Sequence, residues 1–161
     1  MISAFCDWLA ATSISRTFQE LTWFVPLVQT VHILCIAVVL TLVAMTDLKM
    51  LGVRVSSESL SEMVSHSMPW VWIALGLLLT TGILLTITEP ARELLNNVFR
   101  LKMLMVLALV GVLKIIQSGL RDRPDYWSLS PRRRIAARAA GAASLMLGIC
   151  IVIAGRWIAY V

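Results

Sequence analysis

The residues best suited to chemistry lie within an apolar run, PLVQTVHILCIAVVL at positions 26–40. Gln29, His32 and Cys35 are spaced by three within it, so they share one face of a helix. His32 follows Thr22 by ten residues, roughly 15 Å along a helix axis, which is close to mid-membrane if the run spans a bilayer. Polar groups at that depth usually face a bundle interior or a ligand.

One interpretation makes His32 an axial ligand of haem b. A neutral imidazole is a good iron ligand, and its second nitrogen needs a partner, which Gln29 could supply. Gly82 would make room for the porphyrin, and the second axial position would be filled by Met146 or left open. We do not expect His66 there, because the two histidines are offset by roughly 18 Å along the bundle axis.

Two other interpretations remain open. His32, Cys35, Cys150 and Met146 could form a soft site for copper(I), which favours imidazole, thiolate and thioether ligands. Alternatively, His32 is a neutral interior residue, hydrogen-bonded to Gln29 or to a threonine hydroxyl, and stabilises helix packing by about 1 kcal/mol. The same face of one helix therefore predicts a haem site, a copper site or no cofactor.

The elements that position these residues are apolar helices. Of the 161 residues, 59% are hydrophobic and only 14% are charged, with a mean hydropathy of +0.86. A bilayer core of ~30 Å needs about 20 helical residues, and four stretches are long enough. They cover about 22–46, 69–88, 98–118 and 135–160. Irregular backbone cannot face lipid, so we predict an all-α integral membrane four-helix bundle, a single transmembrane domain over residues 1–161.

The N-terminal segment MISAFCDWLAATSISR is a poor signal peptide, because no basic residue precedes its short apolar part and Asp7 interrupts that part. We expect a retained, short interfacial helix with Phe5, Trp8 and Leu9 on its apolar side.

The basic residues flank the apolar stretches, which predicts a lipid bilayer and not nucleic acid as the partner of this +5 chain. Nine Lys and Arg residues lie on the side of the first and third connections, and five lie on the other. The positive-inside rule then places both termini outside the cytoplasm. Lys102 lies near a span end, where its side chain could reach the headgroups.

Small residues mark one face of the fourth stretch, at Gly141, Ser144 and Gly148. Such residues let two helix backbones approach closely in lipid. The face predicts either a homodimer contact or close packing within the chain's own bundle.

Three segments resemble an uncharacterised family of small four-span bacterial inner-membrane proteins. They are HILCIAVVLTLVAMTDLKMLG, MPWVWIALGLLLTTGILL and LLNNVFRLKMLMVLAL. A more distant similarity is to the copper-resistance protein D family and to cytochrome-b-like four-helix membrane proteins. The first resemblance implies the four-span fold. Family members often carry a glutamate where this chain has Gln29, and a histidine where it has Gln117.

The chain lacks a phosphate-binding glycine loop, an H-E-x-x-H motif and the residues of a hydrolase triad. With two histidines and no acidic residue expected deep in a span, a proton-coupled carrier is poorly supported. We predict a haem-b-binding electron-transfer or quinone-linked subunit with a redox partner protein. The alternatives are a structural accessory subunit and a copper-handling protein.

Overall fold

The computed structural model describes residues 2–158, which form seven α-helices and no strand. They are α1 (Ile2–Ala10), α2 (Ser13–Glu20), α3 (Phe24–Leu51), α4 (Leu60–Thr88), α5 (Pro90–Leu94), α6 (Asn97–Asp122) and α7 (Pro131–Trp157). The four long helices are each apolar and long enough to cross a membrane, and they pack together. The predicted all-α four-helix membrane bundle with a short N-terminal helix is confirmed. Residues 159 and 160, the expected end of the fourth stretch, lie outside the described range.

The long helices begin and end at residues that satisfy exposed backbone groups. Helix α3 ends at Gly52, whose φ of 96° is a left-handed conformation that glycine adopts without a steric penalty. Helix α4 begins with a capping box, in which Ser59 and Glu62 each bond the other's backbone N–H. Asn96 caps α6, and Ser130 caps α7. These polar caps set the lengths of the apolar helices.

Helix α4 starts earlier than its apolar composition indicates. The expected span begins at Pro69, but the helix begins at Leu60 and continues through the proline. Proline removes one backbone donor, a loss that membrane helices tolerate when neighbouring groups satisfy the freed carbonyl. The capping box, not the proline, therefore determines where α4 begins.

The core lies toward the end of the bundle that holds the connections 52–59 and 123–130. We call this end the arginine-rich end. Met68 and Val71 of α4 are buried there with Leu113 and Ile116 of α6. Nearby, Trp72 Nε1 donates to Gln117 Oε1 at 3.2 Å, which joins α4 to α6. We call the other end, which holds α5, the α5 end. The buried residues of α6 begin at Leu109, the midpoint of the helix, so packing is tighter at the arginine-rich end.

Helices α3 and α7 approach closely at small residues. A Cβ atom on Gly141 would lie 3.0 Å from the backbone oxygen of Asp47 and 3.2 Å from Cβ of Met50. A Cβ on Gly148 would lie 3.2 Å from Cδ2 of Leu40. Gly141, Ser144 and Gly148 are all buried. The small-residue face thus packs within the chain's own bundle.

The two N-terminal helices lie against the α5 end. Carbonyls in the last turn of a helix lack intrahelical partners, and α2 supplies two for α4. Ser15 Oγ donates to the Ile87 carbonyl at 2.8 Å, and Gln19 Nε2 donates to the Thr88 carbonyl at 2.8 Å. Phe5 and Trp8 of α1 are exposed, with ring centroids 5.8 Å apart. Side chains of α2 therefore complete the end of a spanning helix.

The Gly141→Ala variant should be less stable than the wild type by about 1–2 kcal/mol, because the added methyl meets backbone and not a movable side chain. Gly111→Ala is the matched control: nothing lies within 4 Å of its Cβ position, and helix propensity favours alanine by up to about 1 kcal/mol. Thermal unfolding in detergent, followed by circular dichroism, compares the two. Equal stabilities for the variants would contradict the close approach of α3 and α7.

Candidate functional site

The side chain of His32 connects the two most extensively packed helices, α3 and α4. Its Nδ1 lies 2.7 Å from Oγ1 of Thr81. The single hydroxyl proton of Thr81 points to carbonyls of its own helix, at 2.7 Å from the Leu77 oxygen and 3.2 Å from that of Leu78. When Thr81 donates within its own helix, it accepts from His32, so that Nδ1 carries the proton and Nε2 keeps its lone pair. Nothing in the described range hydrogen-bonds Nε2.

Gly82 lets the backbone of α4 lie beside the imidazole. A Cβ atom on Gly82 would be 3.6 Å from Cε1 of His32, which is ordinary contact distance. The ring is half-buried between the helices, and the buried Cys35 follows it three residues later on the same face. His32, Thr81 and Gly82 thus form one cluster in the α5 half of the bundle.

Lys102 of α6 adds a positive charge to this half. Its Nζ lies 3.7 Å from the position that a Cβ on Gly155 of α7 would occupy. It also interacts electrostatically with His32 and with Glu93 of α5. The side chain lies half-buried against α7, where Gly155 leaves room for it, and its expected path to the headgroups stays a prediction.

Glu93 of α5, outside the spanning helices, also belongs to this cluster. Burial raises the pKa of the Glu93 carboxyl, and the positive charges of Lys102 and Arg92 act in the opposite direction. The α5 half of the bundle thus holds an imidazole, an ammonium and a carboxyl from three different helices.

The remaining predicted residues lie apart from His32. Gln29 is exposed, and the imidazole bonds Thr81 in place of Gln29. Met146 is 66% exposed, and Cys150 is exposed as well. Residues 2–158 contain no group of three or more His, Cys, Asp and Glu side chains placed to hold a metal ion. The haem and copper hypotheses both stay predictions.

The second histidine lies far from the first. Thr81, the partner of His32, follows His66 by fifteen residues on α4, roughly 22 Å along the axis. His66 itself is exposed. Gln117, one of the polar residues near that end, binds Trp72. His66 therefore stands outside the cluster around His32.

A second polar site, between α3 and α7, was missed in the sequence. Asp47 and Ser144 are both 0% exposed, and the Asp47 carboxyl and Ser144 hydroxyl face each other across the helices. The predicted span ends at about residue 46 and leaves Asp47 outside it, whereas α3 continues to Leu51. Asp47 lies only four residues from the end of α3, so it does not contradict the expectation of no acidic residue deep in a span. Gly52, a helix-ending residue, was the signal that could have placed Asp47 inside the helix.

The four apolar helices and the polar side chains between them define an α-helical, multi-pass membrane protein. The chain belongs to a family of unknown function, DUF6644, whose model matches residues 5–161. No curated protein and no solved structure matches the chain. The more distant similarities to copper-resistance protein D and to cytochrome-b-like proteins therefore gain no support from these comparisons.

The Nδ1-protonated tautomer of His32 should dominate at neutral pH in the metal-free protein, because Thr81 can only accept. Nitrogen-15 NMR of histidine-labelled protein measures this directly, and a His66→Gln background removes the only other histidine. A spectrum dominated by the Nε2-protonated form would contradict the assignment.

Replacing Thr81 with valine should destabilise the protein by about 1 kcal/mol, because the bond between α3 and α4 is lost. Thr80→Val is the matched control, since the Thr80 hydroxyl is exposed and bonds only the Gly76 carbonyl of its own helix. Thermal unfolding of both variants in one detergent gives the comparison. Equal destabilisation by the two substitutions would mean that the interhelical bond contributes nothing.

Proposed function

We propose that this four-span membrane protein binds haem b through Nε2 of His32 and carries electrons within the membrane. The observation that supports this most directly is the 2.7 Å bond between His32 Nδ1 and Thr81 Oγ1. A ligating histidine usually donates its other ring N–H to a fixed acceptor, which sets the tautomer and the ring orientation. Thr81 is such an acceptor, and it leaves a bare imidazole nitrogen inside the bundle.

The charge near His32 also suits haem. The porphyrin carries two carboxylate side chains, which need cationic partners in surroundings of low dielectric constant. Lys102 is the cation that interacts with His32, and its nearest acidic neighbour, Glu93, makes no ion pair with it within 4.0 Å. Lys102 would therefore be available to one propionate. Bound haem supplies one-electron redox chemistry.

Gly82 and Gly155 let helix backbone lie at contact distance from two polar side chains, Gly82 from His32 and Gly155 from Lys102. The part of α6 before Leu109, which faces this region, contains no residue of the buried core. A planar group bound here would therefore displace no core residue of α6.

His32 would be the sole protein ligand of the iron. Met146, the predicted second ligand, points away from the bundle with 66% of its surface exposed. The opposite axial position would then be open. The proposal therefore includes a five-coordinate iron that takes up carbon monoxide.

The wider setting is also part of the proposal. The excess of Lys and Arg on the arginine-rich end favours a cytoplasmic location for that end, with both termini outside, in a bacterial inner membrane. Electrons would pass between a quinone and a redox partner protein. Gly141, Ser144 and Gly148 are buried between α3 and α7, so a homodimer contact through them is not part of the proposal.

The competing function is structural. The same hydrogen bond joins α3 to α4, and interhelical bonds of this kind stabilise membrane bundles without any cofactor. A copper site would instead use Cys35, which is buried three residues from His32.

Purified full-length protein, expressed with haem precursor supplied, should show a Soret band with about one haem per chain. The band should be lost in His32→Ala and kept in His66→Ala, a matched control because His66 is exposed and distant from the cluster. Lys102→Gln should retain haem and lower its reduction potential, because a positive charge near the ring is lost. Reduced wild type should bind carbon monoxide with a shift of the band.

Other results would decide against haem. Colourless protein with stoichiometric copper, lost in both His32→Ala and Cys35→Ala, would establish the copper site. Colourless, metal-free protein in which His32→Ala only lowers the unfolding temperature would establish the structural role. Haem retained in His32→Ala would show that another residue is the ligand.

A further inference from the structure

A groove of about 280 Å³ runs along the contact between α3 and α7 and opens to the side of the bundle. Leu40 and Val43 of α3 and Gly148, Ile149 and Val152 of α7 line most of it, so its walls are almost entirely apolar. Asp47 and Ser144 line the remaining part, at the end nearer the arginine-rich end. The groove therefore combines a long apolar wall with a short polar end.

The polar end has unused hydrogen-bonding capacity. Both carboxyl oxygens of Asp47 and the hydroxyl of Ser144 are buried, and within residues 2–158 none of the three atoms has a hydrogen-bond partner. The two side chains approach each other, but no bond of good geometry joins them. Buried polar atoms are nearly always satisfied in folded proteins, and an exception calls for a missing partner. Asp47 and Ser144 thus indicate a ligand that the groove admits.

The direction of the groove matches a lipid in one leaflet. Asp47 is four residues before the last residue of α3, roughly 6 Å along the axis, and so lies near the headgroup level of the arginine-rich end. Val152 is eight residues beyond Ser144, roughly 12 Å further into the membrane. A lipid with its head at Asp47 would place its chain along the apolar wall.

The close approach of α3 and α7 restricts the lipid headgroup to a small, uncharged group. At Gly141 the backbones are so close that even a Cβ would lie 3.0 Å from the Asp47 carbonyl, which leaves no room for a ring. A charged head would enter a groove whose walls are almost entirely apolar, where the desolvation of its charge is costly. A hydroxyl adds no charge, and it can both donate to and accept from Asp47 and Ser144.

We propose that the α3–α7 groove binds a neutral lipid with free hydroxyls, of the monoacylglycerol class, with its head on Asp47 and Ser144. The site is separate from that of His32, which precedes Asp47 by fifteen residues on α3, roughly 22 Å. The lipid proposal therefore does not depend on the haem proposal.

The test uses the full-length protein in nanodiscs with a photoreactive monoacylglycerol that carries a diazirine on its chain. Crosslinks, mapped by mass spectrometry, should fall on α3 and α7 between Leu40 and Ile153. Monoolein should compete at least tenfold more effectively than methyl oleate, which has the same chain and no hydroxyl. Equal competition by the two would overturn the proposal, because the polar end would not be recognised.

Variants separate the polar end from the apolar wall. Asp47→Asn should retain labelling, since an amide still donates and accepts, whereas Asp47→Leu should lose at least tenfold. Gly148→Ala should weaken labelling without changing the polar atoms, because its new methyl enters the groove 3.2 Å from Leu40 Cδ2. Met146→Leu, an exposed position on α7, is the control. Each variant is first checked for wild-type helicity and unfolding behaviour.

The remaining outcomes each overturn the proposal. Unchanged labelling in both Asp47→Leu and Gly148→Ala would place the lipid elsewhere. Competition by oleylamine above monoolein, with loss in Asp47→Asn, would identify an amine site. Absence of labelling would mean that water fills the polar end. Labelling that disappears as the chain dimerises would show that a second copy covers the groove.

Discussion

Every polar atom on these helices must find its partner inside the protein, because hydrocarbon offers none. The structure meets this constraint mostly at short range. Hydroxyls of Thr30, Thr80 and Thr86 donate to carbonyls one turn earlier in their own helices. His32 cannot be satisfied in that way and reaches across to Thr81. The bond between α3 and α4 is therefore a direct consequence of placing an imidazole inside a bundle.

Helix α3 occupies the central place in the arrangement. It packs against α4 through His32 and against α7 through the positions facing Gly141 and Gly148. Two of its polar side chains differ in this respect, since His32 has a partner from α4 while Asp47 has none from α7. Both proposals arise from this difference. The haem proposal concerns Nε2 of His32, which stays available because Nδ1 bonds Thr81. The lipid proposal concerns the Asp47 carboxyl, which has no hydrogen-bond partner within residues 2–158.

The number and type of the long helices could be predicted because hydrophobicity over some 20 residues is a local property of the chain. The partner of His32 could be predicted only as to type, as Gln29 or a threonine hydroxyl. Gln29 is close in sequence, but Thr81 is close in space, and only the rotation of α4 against α3 decides which one the ring meets. The direction of Lys102 depends in the same way on Gly155, which belongs to another helix. The place of Asp47 inside α3 was missed for a different reason. A charged residue next to an apolar run marks where the run ends, but the helix can continue beyond it.

The contacts of the N-terminal helices also constrain the order in which the protein can assemble. Ser15 and Gln19 are made early in synthesis, but the carbonyls that they bind belong to Ile87 and Thr88, 72 and 69 residues later. Helix α2 can dock only after α4 has crossed the bilayer and its far end has emerged on the same side. Helix α2 is made before α3 and α4, yet it reaches its final position only after the second of these spans is in place.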